Sequence, residues 1–155
     1  MKETQIVVLT VPVVRIIKIA TCLSLSGQST LTYHVGCNAE SEVYFRVHAN
    51  SSRGYFSREW VGTDSIGKAL AESSAITSFT LLHTYKGKSQ NNGGFMLAVL
   101  LAEGLVSRFD RQYLIADPDE FNASVKALME SAVSLDADAK TPNADAKSKK
   151  SKKVA

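Results

Sequence analysis

The sequence predicts an α+β domain in which strands come first and helices follow. Two patterns carry this expectation. Residues 30–35 and 43–48 alternate apolar and polar side chains with the period of a half-buried strand, whereas "FMLAVLLAEGLV" and "DEFNASVKALMESAV" further along read as helices. With 155 residues, 45% hydrophobic and 21% charged, the chain has the make-up of one globular domain with an ordinary core.

The first strand is expected in "VVRIIKIATCLSL", rich in Val and Ile and set off by Pro12. Arg15, Lys18 and Pro12 interrupt the apolar run, which falls short of the roughly 18–20 uncharged residues of a membrane span. It also lacks the charged start and A-x-A site of a signal peptide, so no membrane association is expected. "SGQS" turns at Gly27 into "TLTYHVG", where Leu31, Tyr33 and Val35 share a face. "CNAES" connects to "EVYFRVH", with Val43, Phe45 and Val47 on one face and Tyr44, Arg46 and His48 on the other. The three form an antiparallel meander with short polar connections. "ANSSRG" then releases "YFSREWV", a short strand or an extended arm.

Helical signals take over from Thr63 or Asp64, which can cap a helix with Ile66, Ala69 and Leu70 on its apolar side. The β-branched and aromatic content of "AITSFTLLHTY" assigns it to a strand. Residues 95–103 form a helix that Gly104 stops. "LVSRFDRQYLI" suits one strand or a tight hairpin about Asp110, and Asp117 caps a last helix with Pro118 at its first position. Residues 1–135 thus form a single domain. Residues 136–155, with no aromatic and no apolar pattern, are expected to be a disordered Lys-rich tail.

Charge is unevenly placed. The chain carries +3 overall, but six lysines against Asp145 give the last sixteen residues +5 and leave the first 139 at −2. Affinity for nucleic acid would therefore rest on the tail lysines Lys147, Lys149, Lys150, Lys152 and Lys153 and on local patches. Two cysteines, Cys22 and Cys37, fit free thiols in a reducing cytoplasm. Together with His34 and His48 they have the chemistry of zinc ligands, but no close ligand pair declares a site, so no metal is expected. No nucleophile signature is present, and the reading leans away from an enzyme; no cofactor or small-molecule ligand is expected.

The basic, glycine-rich loop "KGKSQNNGG" invites comparison with a phosphate-binding P-loop. Leu82 stands where that motif needs glycine, and "QNNGG" separates Ser89 from the helix, so the motif fails. Two readings stay open: an anion site made by the helix start with Lys86 and Lys88, or a mobile connection. Arg46, Arg53, Arg58 and Trp60, with Tyr44 and Tyr55, are a second candidate surface, because a sheet face of this composition can stack on bases and touch phosphates. Burial is favoured for Trp60 and one tyrosine.

"FMLAVLLAEGLVSRFDRQYLI" resembles the helix-to-wing passage of winged-helix DNA-binding domains over about twenty residues. Two departures leave that family unassigned: Glu103 is the helix's only charge, and the stretch from "IGKALAESS" to Phe95 is longer than the usual turn. The first-choice reading is a non-enzymatic accessory protein that contacts DNA or RNA electrostatically, largely without reading sequence. The alternative is a protein-interaction module with an apolar edge or helix face as its interface and the tail serving solubility.

Overall fold

The alternating N-terminal segments form an antiparallel sheet in the computed structural model, which describes residues 13–137. Strands β1 (Arg15–Leu23), β2 (Thr30–Cys37), β3 (Val43–Asn50) and the two-residue β4 (Val61–Gly62) lie side by side in chain order. The expected three-stranded meander is present, and "YFSREWV" proves to be an extended arm that ends in the short fourth strand. Residues 1–12 and 138–155 lie outside the described residues, and with them five of the candidate phosphate contacts, Lys147, Lys149, Lys150, Lys152 and Lys153.

Period-two alternation decides which face is covered. Leu31, Tyr33, Val35, Phe45 and Val47 are all buried. All but Leu31 join one core with Ile66 and Leu70 of α1 (Thr63–Glu72), Met96, Leu97, Val99 and Leu100 of α2 (Asn91–Ala102), and Phe121 and Val125 of α3 (Asp119–Glu130). Helix α2 is the centre of this layer. Its residues 96–100 are buried without interruption, as expected of a helix that is apolar all round. A hairpin of β5 (Val106–Phe109) and β6 (Gln112–Ile115) turns at Asp110, whose φ of 65° is the left-handed conformation that Asp tolerates. After α3 the chain returns along the sheet edge, where the Leu135 N–H donates to the Ile16 carbonyl at 2.8 Å.

Three expectations about local structure are corrected. The segment assigned to a strand, "AITSFTLLHTY", forms turns and a 3-10 turn at Leu82–Thr84. Its threonines supply the reason: Thr80 Oγ1 accepts the Thr77 N–H at 2.8 Å and Thr77 Oγ1 accepts the Phe79 N–H at 3.1 Å, giving the backbone a local alternative to a ladder. Helix α2 begins at Asn91, four residues before Phe95, so "NNGG" is its first turn. Gly93 permits this, because a Cβ there would collide with the Ser78 carbonyl oxygen. Helices α1 and α3 start beside their expected caps: Gly62 and Pro118 occupy the N-cap positions, and Asp117 Oδ1 still accepts the Asp119 N–H at 3.0 Å.

Candidate functional site

The sheet face opposite the helices gathers the cationic and aromatic residues. Register pairs His34 of β2 with Arg46 of β3, so both project to this side. The register then slips between Thr32 and Tyr33, leaving His48 as an extra residue on β3, and the two imidazoles stack with centroids 4.4 Å apart. Trp60, at the end of the extended arm, folds over this pair at 6.3 Å from the His34 ring. Gly36 makes room for it, since a Cβ there would come within 2.8 Å of the indole.

Arg46 links the group. Its guanidinium lies 4.3 Å above the Trp60 ring, and its Nε donates to His34 Nδ1 at 3.0 Å. Burial, followed by the charges of His48 and Arg46, pushes the His34 imidazole down to about 4, so it is neutral near pH 7. A neutral ring that accepts at Nδ1 carries its proton on Nε2, and that atom is buried with no hydrogen-bond partner among the described residues. Burial and nearby Arg58 also lower the Arg46 guanidinium from its ordinary value. Arg58 is exposed, donates from Nε to the His48 carbonyl at 2.7 Å and lies 5.2 Å from the Phe56 ring. Neither arginine forms an ion pair with a carboxylate of the described residues. Arg53 and Tyr55 stand exposed where the chain leaves β3, Tyr55 at 87%. Trp60 and Tyr44 are half-buried and Tyr55 is exposed, so neither Trp60 nor a tyrosine of this surface is fully enclosed as expected; the core tyrosines are Tyr33 and Tyr85.

The "KGKSQNNGG" loop is tied to the extended arm by hydrogen bonds. Glu59, from the extended arm, places its carboxylate against the loop and accepts the backbone N–H groups of Lys86 and Gly87, both at 2.9 Å, and the Ser57 hydroxyl at 2.6 Å. Burial alone would raise its carboxyl, but these hydrogen bonds outweigh burial and hold it below the usual carboxylate range. Buried Asn92 extends the clasp by accepting the Ser57 N–H at 2.7 Å, while Ser89 and Asn91 donate to the Tyr55 carbonyl at 2.6 and 2.8 Å. The side chains of Lys86 and Lys88 are left exposed beside the arm that carries Arg58. The structure thus brings Arg46 and Arg58 together and clasps the Lys86/Lys88 loop to the same arm.

The other constellations resolve structurally. Lys18 and Glu103 form an ion pair at 2.9 Å, joined by a short hydrogen bond from the Tyr33 hydroxyl. Burial, with Glu103 nearby, raises the Cys22 thiol to about 11, far from a reactive thiolate. Cys22 and Cys37 are free, and no cluster of three metal-ligating residues occurs among the described residues. Helix α2, which the winged-helix resemblance would place in a DNA groove, is buried against the sheet. No helix of the described residues is long and apolar enough to cross a membrane. Compared with models of protein families, curated proteins and solved structures, the chain matches none of them.

Proposed function

We propose that the protein binds single-stranded nucleic acid on the outer face of its sheet, holding phosphates with Arg46, Arg53, Arg58, Lys86 and Lys88 and stacking bases on Tyr55 and the Trp60 edge. The Arg46–Trp60 stack supports this most strongly, because it holds a guanidinium and an aromatic ring together on one sheet face with no carboxylate of the described residues paired to the guanidinium. A single strand suits this face better than a duplex, since α2 is buried and the exposed sides of α1 and α3 carry more acid (Asp64, Glu72, Asp119, Glu120, Glu130) than base (Lys68, Lys126). Stacking and phosphate contact do not read base edges, so sequence preference should be weak. The tail lysines would add charge attraction from outside the described residues.

Anisotropy of a labelled twelve-nucleotide strand at two salt concentrations tests the proposal. The intact chain should bind with clear salt dependence, and Lys86→Gln with Lys88→Gln should reduce the slope of log affinity against log salt by about 0.7 per lost contact. Equal binding by the double variant would remove the loop from the site. A second reading draws on the β5–β6 hairpin, where Phe109 (71% exposed), Leu114 and Ile115 present an apolar surface to solvent. A protein partner could cover it, in which case pull-down would depend on Phe109 and not on Arg46.

A further inference from the structure

A cleft of about 400 Å³ opens where the β1–β2 turn, the end of β3 and the first turn of α2 meet. Ser52 and Gly54 line it, so it adjoins the exposed Arg53 and Tyr55 of the proposed surface. Its polar lining carries no charged side chain; it consists of hydroxyls and amides, with Leu25 and Phe95 beside them. Ser29 is only 8% exposed, yet its hydroxyl has no hydrogen-bond partner among the described residues. The side chains of Gln28, Ser78 and Gln90, which also line the cleft, are uncommitted in the same sense.

From this lining we infer that the cleft takes the sugar of one nucleotide and favours ribose over deoxyribose, so that the strand bound is RNA. The inference rests on the single-strand reading above and goes beyond it. A phosphate would call for a cation, and no Lys or Arg lines the cleft. A ribose 2′-hydroxyl both donates and accepts, which matches serine hydroxyls and glutamine amides that do the same. Leu25 and Phe95 provide apolar contact for the sugar's carbon face.

The test compares labelled twelve-nucleotide oligouridylate as ribose, as deoxyribose and as 2′-O-methyl ribose, titrated by anisotropy against the full chain. The bases are identical, so only the sugar differs. The ribose strand should bind about tenfold more tightly than the other two, and Ser29→Ala with Gln90→Ala should abolish that preference. Equal affinity for all three strands would overturn the ribose inference and leave single-strand binding intact, as would a preference that survives both substitutions. Failure of every strand to bind would overturn the single-strand reading and the ribose inference together. Because the sugar comparison needs no variant, it stands even if a substitution disturbs folding.

Discussion

The guanidinium of Arg46 lies 4.3 Å above the Trp60 ring while its Nε donates to Nδ1 of His34 at 3.0 Å, so one side chain joins β2, β3 and the arm between β3 and α1. Charge alone would not hold this geometry; a planar fork is needed. Arg46→Gln should therefore lower both single-strand affinity and its salt slope, the latter by about 0.7. Arg46→Lys should keep the slope but still bind more weakly, because an ammonium cannot stack flat on the ring and donate to His34 at once. Salt titrations of both variants check this, and a fully active lysine variant would show that only charge matters.

His34 gives the fold an acid-sensitive element. Its folded-state value of about 4 lies below the ordinary 6.5, so the unfolded chain binds more protons between those values. Stability from this residue is complete above pH 6.5 and is lost as pH falls toward 4, by roughly 1 kcal/mol per pH unit inside the window. Urea unfolding from pH 7 to 4, beside an imidazole NMR titration, reads both quantities. An imidazole midpoint near 6.5 would contradict the burial described here.

The Glu59 clasp makes two opposite expectations. Glu59→Gln removes the charge that both loop N–H groups contact and should cost about 1–3 kcal/mol, with faster amide exchange at Lys86 and Gly87. Because the same change deletes a negative charge beside Lys86, single-strand affinity should rise. Denaturant melts, exchange rates and anisotropy on one variant separate the two effects.

Two glycines should respond in opposite directions. Gly93→Ala forces a Cβ onto the Ser78 carbonyl at the base of α2 and should destabilise by roughly 2–3 kcal/mol. Gly67 lies inside α1 with open space about its Cα, so Gly67→Ala should stabilise by about 0.5–1 kcal/mol. Thermal melts of the two variants decide it.

The strands were legible wherever one face is buried and the side chains alternate, as at Leu31, Tyr33 and Val35, and the β5–β6 turn at Asp110 is one of the two readings that local chemistry left open. The stretch after α1 was not, because Thr77 and Thr80 capture backbone groups locally and a propensity count cannot see that. The clasp was hidden for a different reason: Glu59 meets Lys86 and Gly87 across 27 and 28 residues of chain, and nothing near "KGKS" names the distant carboxylate. The glycines of "NNGG" suggested a pliable loop, whereas Gly93 serves close packing inside a helix. Arg46, Arg58 and Trp60 could be singled out by type, but the bulge that places His48 against His34 is a tertiary feature.

The chain has one tryptophan, and it sits in the proposed site. Titrating an unlabelled twelve-nucleotide strand into the intact protein while following Trp60 emission therefore reports on this face and no other. Emission should change saturably, with an affinity that falls as salt rises and with a weakened response in Arg46→Gln. Unchanged emission across the titration at low salt, with no anisotropy signal from a labelled strand, would contradict the proposal that this face binds single-stranded nucleic acid.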